Sequence, residues 1–151
     1  MRHNKILSAT IALCVIAFFT MGSAPSASAS TPSPVTITAT FNFSTFPDVT
    51  GTFTTTGALT ISGPAFMHVD FLDARQSTAA HCVVTLFAPL GNIIIDQQCQ
   101  FATSMPAPYP TGQGKGRWEI VSGTGAYANL NGNGSLTMPD DEEAMTGVIY
   151  H

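Results

Sequence analysis

The chain has 151 residues, 44% of them hydrophobic and only 9% charged, with 5 Lys+Arg against 9 Asp+Glu and a formal net charge of −4 at pH 7. Such a balance offers no basic stripe to displace counterions from phosphates, which argues against nucleic acid and anionic membrane surfaces as partners. One domain of ordinary size can bury a real core at this length.

Residues 1–29 have the three zones of a secretory signal peptide. Arg2 and Lys5 form the positive start, residues 6–19 are apolar except for Ser8 and Thr10, and Ala27-Ser28-Ala29 supplies a small-x-small cleavage site. The apolar run is shorter than the roughly 20 residues a membrane span needs. Cleavage after Ala29 is expected to release an extracytoplasmic chain, whose remaining cations are Arg75, Lys115 and Arg117. The expected organisation is a signal peptide over 1–29, a disordered lead over 30–34 and a single β domain over 35–151.

From Val35 the pattern alternates cleanly. Val35, Ile37, Ala39, Phe41 and Phe43 share one face, and Thr36, Thr38, Thr40, Asn42 and Ser44 the other, the period of a half-buried strand. Pro47-Asp48 marks a turn, residues 51–56 form a threonine-rich second strand around Phe53, and residues 58–62 are a candidate short strand. Residues 65–72 carry large apolar groups on both faces. Met67, Val69 and Phe71 oppose Phe66, His68, Asp70 and Leu72.

Two strands then flank the Pro89-Leu90-Gly91 region. A turn centred on Leu90-Gly91 sets Cys82 directly opposite Cys99, Val84 opposite Gln97 and Leu86 opposite Ile95, and makes this more apolar face the core side. With a two-residue loop the two Cα atoms would stand about 4.5 Å apart, within disulfide reach. Pro89 equally allows a four-residue loop, which keeps the register and exchanges the pair types. Cys14 leaves with the signal peptide, so an even pair remains in an oxidising compartment, and a Cys82–Cys99 disulfide is expected over two free buried thiols.

Residues 104–112 hold three prolines in five positions, which forbids regular pairing, so this loop is expected at an end of the domain or over an opening. Next comes the most ordered stretch, residues 114–137. Trp118 and Ile120 alternate with Arg117, Glu119 and Val121, and Gly123, Gly125, Gly132 and Gly134 then bracket Tyr127 and Leu130. A single helical turn would present Tyr127 and Leu130 on one side as a plug. Residues 123–128 match G-x-G-x-x-A in outline, yet no long helix or second parallel strand follows, so a dinucleotide site is rejected. Pro139 to Glu143 reads as a solvated acidic turn, and residues 144–150 as the last strand.

About eight strands with frequent turn signals and no long helix predict an all-β fold, a single antiparallel barrel, with a β-sandwich as the alternative. The stretch carrying Gly114, Gly116, Trp118, Gly123, Gly125, Tyr127, Leu130, Gly132 and Gly134 resembles the glycine-rich segment of allene oxide cyclase-like and dirigent-like barrels. The resemblance implies an eight-stranded barrel whose apolar cavity binds, cyclises or orients hydrophobic small molecules. It assigns no catalytic residue here.

His68 and Asp70, two apart on one face, are the paired candidates for acid–base chemistry in such a cavity. Trp118 and Tyr127 are candidates for ligand contact, with the proline loop over 105–110 near an opening. The histidines lack H-x-H or H-E-x-x-H spacing, and 140–143 lacks the order of a calcium loop, so no metal and no cofactor is expected. Three functions remain open: binding an apolar small molecule, a structural or interaction role, or a cyclase-type enzyme. The deciding feature is whether the barrel holds an interior pocket of at least about 300 Å³ with convergent polar groups or is packed solid.

Overall fold

Eight antiparallel strands close into a barrel in which each strand lies beside its neighbours in sequence and β8 returns to β1. The computed structural model describes residues 30–72, 78–101, 113–139 and 142–151. The expected signal peptide over 1–29, the proline run of 104–112 and Asp140-Asp141 lie outside the described residues. In order, the strands are β1 (Ser33–Asn42), β2 (Asp48–Gly57), β3 (Ser62–Phe71), β4 (Ala79–Ala88), β5 (Gly91–Phe101), β6 (Gly114–Gly123), β7 (Asn131–Met138) and β8 (Glu142–Tyr150). The barrel alternative is thus the one adopted. Closure removes the unpaired edges that a chain so rich in Thr, Val and Ile would otherwise present.

Several boundaries differ from the sequence expectation. Ser33 and Pro34 already pair with Ile149 and Val148, so β1 takes up the last two residues of the proposed lead. The candidate strand over 58–62 is instead the β2–β3 connection, 58–61, with Ser62 already in β3. Thr55, buried in the wall, holds it by donating from Oγ1 to the Leu59 carbonyl (2.8 Å) and accepting from Ile61 N–H (3.0 Å). β8 begins at Glu142, two residues before the expected start, and this places Glu143 inside a strand.

The hairpin register is also corrected. Ala88 pairs with Gly91, so the turn residues are Pro89 and Leu90, one position earlier than expected. Cys82 therefore lies opposite Gln97, and Cys99 opposite Ala80, leaving the two cysteines diagonal. Shifting the turn centre by one residue moves partners by two, so the cysteine face keeps its side of the sheet and still points inward. Gly91 sits where it does because its backbone, at φ 146°, packs against Thr124, whose carbonyl oxygen would stand 2.0 Å from an added Cβ.

Odd positions of β1, β2, β3, β5 and β8, and even positions of β4, β6 and β7, face the lumen. Phe53, Met67, Val84, Leu86, Ile93, Ile95, Leu136 and Met145 fill it with almost no exposure. Burying each such side chain contributes about 1.5–3 kcal/mol.

The two ends differ. At one end the β6–β7 connection forms a short 3₁₀ turn, Gly125–Tyr127, that buries Tyr127 and Leu130 over the lumen. It is clasped to the β4–β5 turn by Ala126 N–H to the Leu90 carbonyl (3.0 Å), Thr124 N–H to the Asn92 carbonyl (2.9 Å) and Asn92 N–H to Thr124 Oγ1 (2.9 Å). Gly125 carries the required φ of 58°. At the opposite end phenylalanine rings meet in two groups, Phe46–Phe71–Phe101 with centroids 5.5 Å and 6.5 Å apart, and Phe41–Phe43 at 6.5 Å. We call these the plugged end and the phenylalanine end.

Candidate functional site

Below the phenylalanine end, the apolar lumen contains one polar pair. Gln97 projects inward from β5 and Glu143 from β8, on opposite sides of the barrel, and the Gln97 side-chain amide donates to Glu143 Oε1 across the lumen. The second amide hydrogen of Gln97 points to Met145 Sδ at 3.4 Å. Both side chains are buried, Gln97 at 0% exposure and Glu143 at 2%. Among the described residues, Gln97 Oε1 and Glu143 Oε2 have no hydrogen-bond partner. Each unpaired buried polar atom costs about 1–3 kcal/mol, so the arrangement is expensive for a wall position that Leu or Val could fill.

Register explains how the sequence builds it. Along the inner wall Gln97 lies between Cys82 on β4 and Trp118 on β6, while Glu143 lies beside Ala39 on β1. Trp118 leans over two glycines: a Cβ on Gly134 would come within 2.7 Å of the indole nitrogen, and one on Gly147 within 2.7 Å of its ring. The indole N–H donates to the carbonyls of Ser135 (3.1 Å) and Thr146 (3.3 Å), so the ring is locked and its polar atom satisfied.

Burial pushes the Glu143 carboxyl up from its ordinary value to about 7, against the opposing effect of the Gln97 hydrogen bond. An ionised carboxylate in this apolar enclosure would lack the solvation and the charge partner that it needs. The Cys82 and Cys99 sulfurs stand 3.9 Å apart beside the pair, both as free thiols. The neighbouring Cys82 thiol, and then burial, push the Cys99 thiol up strongly, which keeps it protonated and inert.

Of the residues singled out in the sequence, Trp118, Cys82 and Cys99 come together around Gln97. Tyr127 does not; it is buried in the plugged end. His68 and Asp70 project from the outer wall. Their expected lateral contact exists at 3.4 Å, but His68 bonds more closely to Asp48, its partner across β2–β3, at 2.6 Å. That bond, more than the contact with Asp70, raises the His68 pKa. A separate outer pair joins His81 to Asp96 at 2.7 Å. Among the described residues no cluster of His, Cys, Asp or Glu is arranged to hold a metal ion.

Glu143 was missed because it ends an acidic run, where solvation is the natural expectation. The available signal was parity, since Glu143 shares its face with Met145 and Ile149. Clefts bounded by described residues open on the outside of the barrel. One of about 600 Å³ lies over the β5–β7 wall between Asp96, Arg117, Glu119 and Asn133. In the lumen the polar groups of Gln97 and Glu143 meet among apolar side chains that are almost fully buried.

Comparison of the chain with protein-family models, with curated proteins and with solved structures gave no match. The functional argument accordingly stands on the lumen itself.

Proposed function

We propose that this barrel binds a small, largely apolar molecule through its phenylalanine end, with Gln97 and Glu143 meeting the molecule's polar group. One observation carries the reading: two facing side chains, both buried, each hold an oxygen without a partner among the described residues, in a largely apolar lumen. Binding sites for small molecules combine an apolar, aromatic lining with a few placed polar groups, and Phe41, Phe71 and Phe101 supply such a lining beside the pair. Entry requires the rings to part, because the lumen side chains are closed over the pair. Secretion, expected from the signal peptide, suits a carrier or scavenger of such molecules outside the cell.

The Glu143 carboxyl favours a second reading. A buried acid with a pKa near 7 is poised to give or take a proton, as a cyclase-type enzyme on an apolar substrate requires. Binding comes first in either case.

Trp118 is the only tryptophan of the chain and lies beside Gln97, so it reports directly on the lumen. Titration with the apolar fluorophore N-phenyl-1-naphthylamine is expected to quench Trp118 emission saturably, at one probe per chain, by energy transfer. Weak, unsaturable fluorescence with unchanged Trp118 emission would overturn the binding reading and leave a filled, structural barrel.

A further inference from the structure

The unpaired atoms also specify the polar group of the ligand, an inference that rests on the binding reading above. Gln97 uses both amide hydrogens, one on Glu143 Oε1 and one on Met145 Sδ, so what it has left is the acceptor Oε1. Glu143 accepts at Oε1, so the proton of the neutral acid belongs on the other oxygen, Oε2. The pair thus offers one donor and one acceptor, on side chains that face each other from opposite walls.

We infer that the ligand is an apolar molecule bearing a hydroxyl group, whose oxygen accepts from Glu143 Oε2–H and whose hydrogen is donated to Gln97 Oε1. A hydroxyl carries both functions on one atom, which is what two converging groups can share. An ether or ketone only accepts and leaves Gln97 Oε1 unpaired. An alkane satisfies neither. An ammonium would be a donor alone and would face a protonated acid. The sulfurs of Cys82, Cys99 and Met145 and the rings above them surround the pair with apolar surface, so the rest of the molecule is hydrocarbon. Sites that hydrogen-bond a hydroxyl reject analogues without one, because the buried polar groups are then left unpaired.

The test uses three molecules of equal heavy-atom count, octanol, heptyl methyl ether and nonane, each displacing N-phenyl-1-naphthylamine from the mature protein, with affinities referred to free aqueous concentration. The ether can accept from Glu143 but cannot donate to Gln97 Oε1, so one further net hydrogen bond predicts that octanol binds up to about tenfold more tightly than the ether. The double variant Gln97→Leu/Glu143→Leu replaces both partners by apolar groups of similar size, a change that folded proteins tolerate better than loss of one partner. It is expected to lose the preference for octanol over the ether, read as the ratio of the two affinities and so independent of any change in affinity for the probe. Equal displacement by all three molecules from the wild-type protein would overturn the hydroxyl assignment while leaving apolar binding intact, as would a preference that survives in the double variant. If the probe itself fails to bind the wild-type protein, both the assignment and the binding reading fall. Because the ligand series is run on the wild-type chain, the result does not depend on the variant folding.

Discussion

At the scale of single residues, Glu143 makes the stability of the barrel depend on pH in a definite direction. In the unfolded chain its carboxyl ionises near 4.5, whereas in the barrel it holds its proton until about 7. Between those values the folded state binds more protons, so stability falls as pH rises, by about 3 kcal/mol over the window. The other titratable groups around it, Cys82 and Cys99, are thiols, and Cys99 is pushed upward and stays neutral there. His68 acts in the same sense from the outer wall: its stabilisation by Asp48 is complete below its unfolded value of 6.5 and disappears as pH passes the raised folded value. Urea denaturation across pH 4.5 to 8 is expected to show this fall, and Glu143→Gln to flatten its lower part while Asp48→Asn flattens its upper part. A wild-type profile flat between 4.5 and 7 would mean that Glu143 is not held as a neutral acid. Little of this was legible beforehand, because a glutamate at the end of an acidic run is buried only if the strand begins before it. Where β8 starts depends on its pairing with β1, and parity with Met145 and Ile149 tells which face Glu143 takes only once that start is known.

Elements were easier to read than the pairs within them. Alternation and turn signals located the eight strands but also offered 58–62, which is a connection; a wall with one apolar face imposes period two on most segments that build it. The Tyr127–Leu130 plug was legible for a similar local reason, glycines on either side of a short apolar patch. Exact register was not. The hairpin turn is fixed by contacts from another element: Leu90 and Asn92 bond to the β6–β7 connection, and Gly91 fits only against Thr124. The resulting diagonal placement changes how the cysteine pair should behave. Their sulfurs stand 3.9 Å apart, against about 2.05 Å in a disulfide, so bridging requires the β4 and β5 side chains to shift toward each other. The bridge is expected to form during export, before the wall has packed, and to add about 3 kcal/mol less its strain. Peptide mapping of the exported protein without reduction should find Cys82 linked to Cys99. Reduced protein that has already folded should oxidise slowly, because the thiols are buried and Cys99 stays protonated. Two alkylatable thiols in the exported, denatured chain would show that the register leaves them too far apart.

For the whole molecule, export is the first expectation to check. Mass measurement of the secreted product should give a chain beginning at Ser30, three residues before β1. A full-length product retained in a membrane would contradict it. The barrel has a further property that arises from its order of pairing. Seven of its strand pairs join neighbours in sequence, and one, β1 with β8, joins Ser33–Thr40 to residues more than a hundred positions away. In kinetic terms the first seven can form as local hairpins, while the seam waits on closure of nearly the entire chain. Until it shuts, β1 is an open edge of alternating Thr, Val, Ile and Phe, a segment of high β propensity and no charge. The slow step of folding and the hazard of intermolecular association are therefore located at the same seam, and dilution during refolding should protect against the second without hastening the first.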